Sequence, residues 1–305
     1  MPGFFEQRQE KGEREMKFGI CYCYWNKDWE GKDYPKYIER ARKCGFDGLE
    51  IFYGRTLEMD EKEVADIKAA CAANDIEMYI SGGYGRELDI SQPDEAGRKA
   101  AEAKSKELAK AFHRIGAHNF SGINYGAWCN FDAPENKEQL FEDAAKSLKE
   151  IGKVCEDLDI SWNMEVVNRF ETCMLNTAAE AMKLVEMTDS PAVNVLLDIF
   201  HGMIEEDDLA EAIRTVGKKR LGHYHMGTNN RRPPRECFLP WDEVCGALKE
   251  IGYDRCISFE PLVRTGGTVA LGGGNVWRPM LPENADDEML DEIIKDSLKF
   301  IKDKF

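Results

Sequence analysis

No stretch of this 305-residue chain reaches the roughly 18 consecutive apolar residues that cross a bilayer. Residues 1–15 are charged where a secretory signal would carry an apolar core. Both absences predict a cytoplasmic protein with no membrane partner. Cations are in short supply: 41 Lys and Arg stand against 57 Asp and Glu, a formal charge of −16. Such a surface repels phosphate backbones and anionic lipids, so nucleic acid is not an expected partner. Only 5 histidines are present, too few for the multinuclear zinc site and basic face of a DNA-repair endonuclease.

The 10 cysteines include no CxxC pair, and a chain of this length needs no disulfide scaffold, so reduced thiols are expected. Cys21 and Cys23 lie two apart in a strand-like run and read as small buried residues rather than zinc ligands. Glycine-rich stretches occur at 81–85 and 266–274, but neither precedes a helix with GxGxxG or GxxxxGK[ST] spacing. They are expected as plain loops, not phosphate cradles.

What is present is a repeating unit. From residue 17 on, short β-rich runs alternate with helical periodicity: strands at 17–22, 48–51, 77–81, 119–123, 161–166, 193–198, 221–225 and 256–260. The helices between and after them are expected at 34–44, 61–74, 94–115, 137–158, 177–187, 208–216, 241–251 and 288–304. Gly45, Gly116 and Gly252 each follow a helical stretch and suit a left-handed cap. Eight alternating pairs predict an α/β fold, a single (β/α)₈ TIM barrel over residues 16–305. Residues 1–15 lack periodicity and are expected to be a disordered extension or an expression remnant.

Four strands end in residues able to bind a metal: Glu165 after Trp162-Asn163-Met164, Asp198 after Val195-Leu196-Leu197, His225 after His223-Tyr224, and Glu260 after Ser258-Phe259. Successive residues of this set are about 30 positions apart, one strand-plus-helix unit. A barrel gathers the C-terminal ends of its strands around one mouth, where catalytic residues collect. A lone Glu or His there is usually a solvated loop residue; four at matching ends point to one centre. Three carboxylates and an imidazole suit a hard divalent ion, Mn²⁺ first, with Co²⁺ or Mg²⁺ as alternatives. Trp128, Trp25 and Trp29 follow strand ends and are candidate pocket walls for a sugar. His223 reads as a supporting or core group, and His113 and His118 have no evident partner in the sequence.

The stretches Glu165-Val166-Val167-Asn168-Arg169-Phe170-Glu171, Leu197-Asp198-Ile199-Phe200-His201, Gly222-His223-Tyr224-His225-Met226-Gly227 with Asn230-Arg231, and Phe259-Glu260-Pro261 resemble the signature of the ketose 3-epimerases. These are the D-tagatose and D-psicose (allulose) 3-epimerases of the xylose isomerase-like barrels. The likeness runs over roughly residues 16–305. It implies metal ligation by Glu165, Asp198, His225 and Glu260, and contacts from Glu171, His201 and Arg231 to the O1–O3 end of a ketose. It further implies a metal-dependent epimerisation at C3 of a free ketohexose of the D-psicose, D-fructose or D-tagatose type. Glu165 and Glu260 would work from opposite faces of C3 through an enediolate. The family also implies a homodimer or homotetramer.

The sequence departs from that pattern at Cys21, where a tyrosine is common, at Thr228, where a glutamate is usual, and at 234–238, where a Pro-Gly-x-Gly-Arg turn is common. The expectation is an altered pocket at the far end of the sugar. Strand ends alone leave an aldose–ketose isomerase, an inosose dehydratase, a C-glycoside-cleaving subunit or a sugar-binding protein on a catalytically dead barrel as rival readings.

Overall fold

The structure is a computed structural model that describes residues 16–131, 134–282 and 285–305. The expectation for residues 1–15 lies outside the described residues. Eight parallel strands close into a barrel in sequence order: β1 (Lys17–Cys21), β2 (Gly48–Phe52), β3 (Glu77–Ser81), β4 (Asn119–Gly122), β5 (Ser161–Val166), β6 (Val193–Asp198), β7 (Leu221–Met226) and β8 (Cys256–Phe259). β1 pairs with both β2 and β8, so no strand edge is left open.

The outer ring comprises α1 (Tyr34–Lys43), α2 (Glu61–Asn74), α3 (Glu95–Ile115), α4 (Lys137–Leu158), α5 (Ala178–Thr188), α6 (Ile199–Glu205), α7 (Leu209–Arg220), α8 (Trp241–Glu250) and α9 (Asp287–Lys302). Side-chain caps start several of these helices. Asp60 accepts from Glu63 N at 2.8 Å and Asp94 from Gly97 N at 2.8 Å. Thr177 accepts from Glu180 N at 3.3 Å and Asp286 from Met289 N at 2.9 Å. Each is worth about 1 kcal/mol. Gly45, Gly116 and Gly252 have φ of 90°, 91° and 67°, the left-handed geometry expected after those helices. The strand and helix pattern read from the sequence matches within a few residues, apart from short elements: α6, which follows β6 directly, the 3-10 turns, and the helical turns Gly267–Val269 and Ala270–Gly274 in a stretch expected as a plain loop.

The two-residue period of the strands divides their side chains between two environments. Phe18, Ile20, Leu49, Ile80, Phe120, Trp162, Val195 and Phe259 belong to the buried core with the apolar faces of the helices. Burial of a large apolar side chain there contributes about 1.5–3 kcal/mol. The other parity carries polar residues that bond to one another across strands. Ser161 Oγ donates to Asn163 Oδ1 at 2.6 Å, Asn163 Nδ2 to Ser121 Oγ at 3.0 Å, and Asn194 Nδ2 to Ser161 Oγ at 3.0 Å. Glu165, Asp198, His225 and Glu260 share this parity with Asn163, Asn194, His223 and Ser258. The barrel lumen is therefore a hydrogen-bonded polar column that ends in ionisable groups at the mouth.

Candidate metal centre

Register brings the four strand-end residues together. Asp198 lies opposite His225 in the β6–β7 pairing, Glu165 on the adjoining β5 pairs with Leu196 two residues before Asp198, and Glu260 N donates to Met226 O at 3.1 Å just past the end of β8. One potential ligand atom from each of Glu165, Asp198, His225 and Glu260 lies within 4.8 Å of the others. His225 Nδ1 is 3.4 Å from Glu260 Oε2 and 4.0 Å from Glu165 Oε1 and from Asp198 Oδ2. It is buried with no hydrogen-bond partner. An orphaned imidazole nitrogen facing three crowded carboxylates is a donor set that fits a divalent cation.

The electrostatics reflect that crowding. Burial and the neighbouring Glu260 push the Glu165 carboxyl well above its usual range. Burial also pushes up Glu260, but Arg231 and His225 outweigh it and hold this carboxyl below its usual value. Burial opposes a charge on His225; Glu50 and Glu260 outweigh it and raise the imidazole well above its ordinary value. Arg231 Nη1 bonds Asp198 Oδ2 at 2.5 Å and Glu260 Oε2 at 2.6 Å, so a guanidinium counters part of the negative charge. Its carbon lies 4.2 Å above the centroid of the Phe200 ring.

Arg231 is held by an unusual turn. Its φ is 59°, a left-handed conformation uncommon outside glycine. Thr228 builds that turn: its carbonyl accepts from Arg231 N at 2.9 Å and its N–H donates to Arg232 O at 2.8 Å. Its hydroxyl accepts from Arg232 N at 3.1 Å and donates to Asn230 Oδ1 at 2.8 Å. The Thr228 departure thus bears on where Arg231 points.

His201 sits on α6, not in a loop as a strand-end histidine would suggest. Asp198 starts that helix by accepting from Phe200 N at 2.8 Å. His201 Nδ1 accepts from Asn168 N at 3.3 Å and from Asn168 Nδ2 at 2.8 Å, which leaves the proton on Nε2. Burial, with Arg231 and His225, keeps this ring neutral by lowering its pKa well below the usual value. The Nε2–H comes 3.0 Å from Arg231 Nη2, setting two donors side by side; one ligand oxygen on the cavity side of the pair would accept from both. Asn168 also holds Glu171 Oε1 at 2.9 Å, and Trp128 Nε1 donates to Glu171 Oε2 at 2.9 Å.

These groups open into a cavity of about 540 Å³. Glu165, Glu171, His201, His225, Arg231 and Glu260 line its polar end. Trp29, Phe52, Trp128, Val276, Trp277 and Met280 line the apolar remainder. The glycine stretches at 81–85 and 266–274 act here as close-packing backbone: a Cβ on Gly273 would stand 1.9 Å from the edge of the Trp128 ring, and its φ is 128°. Gly273→Ala is expected to displace Trp128 and raise KM several-fold with little change in melting temperature, a split that steady-state kinetics and calorimetry resolve.

Other expectations change. Trp25 is buried away from the cavity, its Nε1 donating to Asp291 Oδ1 at 3.0 Å. Cys21 is buried and does not line the pocket; its thiol donates to Glu50 Oε1 at 3.2 Å. The segment 234–238 contributes nothing to the lining, and Phe238 is exposed. Of the three departures, none alters the apolar end of the cavity directly. His113 and His118 bond to the Leu158 and Asp159 carbonyls, each at 3.1 Å, away from the mouth. Sequence reasoning passed over Glu50, Asn168 and Phe200. Glu50 carried a signal, a carboxylate inside the apolar run Leu49-Glu50-Ile51-Phe52.

The Xylose isomerase-like TIM barrel family matches residues 38–303. The D-psicose 3-epimerase of Ruminiclostridium cellulolyticum is 38% identical over 288 residues, 93% of this chain and 96% of that protein. The D-psicose 3-epimerase of Agrobacterium fabrum is 35% identical over 286 residues, 93% and 98% of the two chains. The crystal structure of D-psicose 3-epimerase with D-tagatose from Clostridium cellulolyticum H10 superposes with a TM-score of 0.89 at 38% identity, covering 94% of this chain and 98% of that one. With the closed barrel and the mouth in place, the chain belongs to the xylose isomerase-like TIM barrels and, within them, to the ketose 3-epimerases, a family of carbohydrate isomerases.

Proposed function

We propose that this chain epimerises a free ketohexose of the D-psicose, D-fructose or D-tagatose type at C3, using a divalent ion, Mn²⁺ first and Co²⁺ or Mg²⁺ otherwise, held by Glu165, Asp198, His225 and Glu260. The observation that carries the reading is the convergence of three carboxylates and an unpartnered imidazole nitrogen on one point, beside donors suited to sugar oxygens. When bound, the ion would supply Lewis-acid polarisation of the ketose oxygens.

The chain's own groups then do the following. Arg231 and the His201 Nε2–H donate to oxygens at the O1–O3 end, and Glu171, fixed by Asn168 and Trp128, accepts from a hydroxyl. Glu165 and Glu260 reach the mouth from strands three places apart, which places them to address C3 from two sides. One of them takes the C3 proton and the other returns one to the far face, the order set by the C3 configuration of the substrate. The back reaction exchanges the roles. Trp29, Trp128 and Trp277 cover the sugar's C–H surface and limit water. Ten free thiols support a reducing, cytoplasmic compartment. The family reading supports a homodimer or homotetramer, which sedimentation velocity would contradict by returning a monomer.

The test is product analysis by NMR on D-fructose, D-psicose, D-tagatose and D-sorbose with Mn²⁺. C3 epimers are expected from at least one. Aldose products would instead assign an aldose–ketose isomerase, and no turnover of any of the four would remove the free-ketohexose reading.

A further inference from the structure

Beneath the mouth, a second layer of ionisable groups fills the lumen. Glu50, in the middle of β2, is fully buried and lies across the barrel from β7. Its Oε2 is 2.9 Å from His223 Nε2, and its Oε1 is 3.1 Å from His225 Nε2 and 3.2 Å from the Cys21 thiol. Three donors thus converge on one carboxylate, and both of its oxygens are used.

The geometry points to Glu50 as the residue that positions His225, a role resting on the metal centre proposed above. A neutral imidazole has one N–H and one lone pair, and the partner of one nitrogen decides which nitrogen faces the other way. Glu50 can only accept, so His225 keeps a proton on Nε2, and Nδ1 is the nitrogen turned to Glu165, Asp198 and Glu260, the one a cation would take in place of a proton. The orphaned state of Nδ1 at the mouth is the other half of the same arrangement. A carboxylate behind a metal-binding histidine fixes ring orientation and makes the opposite nitrogen a better donor.

Glu50 is itself held in place. His223 donates through Nε2 while its own Nδ1 has no hydrogen-bond partner, so its second nitrogen is not tied elsewhere. Cys21 lies directly opposite Glu50 in the β1–β2 register and bonds its other oxygen. The cysteine at this position therefore serves the support of His225 rather than the sugar pocket. His223 and Cys21 act through Glu50, and Glu50 acts through His225; none of the three reaches the cavity lining.

The experiment is a Mn²⁺ titration of metal-stripped wild-type and Glu50→Gln protein, read by electron paramagnetic resonance of the free ion. The amide keeps the shape but loses the charge that favours the His225 N–H. Mn²⁺ affinity is expected to fall about ten- to a hundred-fold, the range seen when a carboxylate behind a metal ligand is removed. Affinity within twofold of wild type in a folded variant overturns the assignment. Wild-type protein that binds no Mn²⁺ would instead overturn the metal centre itself.

A second measurement needs no substitution at Glu50. In ¹⁵N-histidine NMR of the wild type, the resonances lost in His225→Gln identify His225. Its Nε2 is expected to carry a slowly exchanging proton in both the metal-free and the Mg²⁺-loaded protein. An unprotonated Nε2 in either form overturns the role of Glu50 whether or not the Gln variant folds.

Discussion

Glu260→Gln is expected to lower turnover by about three orders of magnitude or more while leaving the barrel folded. Two losses combine in that substitution. The carboxylate held ionised by Arg231 and His225 disappears, and with it an acid/base group worth about 10²–10⁴ in rate. One anionic oxygen also leaves the cluster, weakening its hold on a divalent ion. The fold survives because the amide oxygen still accepts from Arg231 Nη1, and Asp198 keeps the other contact of that nitrogen. The variant offers a finer reading in D₂O. With Glu165 as the remaining proton-transfer group, exchange at C3 from a single face is expected to outlast inversion. Near-normal inversion in Glu260→Gln would remove Glu260 from the proposed chemistry.

Asp198→Ala is expected to lose activity to a similar depth and, unlike Glu260→Gln, to destabilise the protein. Asp198 has two jobs on its two oxygens. Oδ2 faces the cluster and takes the Arg231 contact, and Oδ1 caps α6 by accepting from Phe200 N. Removal of a helix cap costs about 1 kcal/mol. Loss of one partner of a buried ion pair costs about 3–5 kcal/mol when the other charge is left uncompensated; Glu260 still faces Arg231, so the lower end applies. A fall of several degrees in melting temperature is expected, together with loss of Mn²⁺ binding. Because α6 carries His201, the frayed helix start would loosen that side chain too. A melting temperature equal to wild type would mean that the cap is not needed to hold α6.

The parts of the fold legible in the sequence were those set by local pattern. Alternation of β-rich runs with helical periodicity gave the eight units, and glycines 45, 116 and 252 marked helix ends because only a left-handed residue fits there. The four strand-end residues were legible because strand parity is fixed: Glu165 follows Asn163, and His225 follows His223, on the same face. α6 was not legible. It has seven residues, too few for a period of 3.6 to register, and its cap is Asp198, already read as a candidate ligand.

Glu50 was hidden for another reason. Its partners His223 and His225 lie 173 and 175 residues away, and nothing local tells a strand which residue it will face across a closed lumen. The same non-local geometry redirects the three departures from the family pattern. Cys21 is buried as its strand-like run implies, and its register against Glu50 takes the thiol to that carboxylate rather than to the pocket. Thr228, where the family pattern has a glutamate, shapes the left-handed turn at Arg231 with its hydroxyl and backbone. The 234–238 segment lies outside the cavity lining altogether. The apolar wall of the cavity is built instead from residues such as Trp29, Phe52, Trp128 and Trp277.

The most direct measurement starts from D-fructose deuterated at C3, incubated in H₂O with metal-stripped protein and again after reloading with Mn²⁺, and followed by NMR. Inversion at C3 is expected only in the reloaded sample, with each inverted molecule having lost its deuterium to solvent through Glu165 and Glu260. Inversion with deuterium retained at C3, or equal inversion in the stripped protein, would contradict a metal-assisted exchange of the C3 proton between two carboxylates.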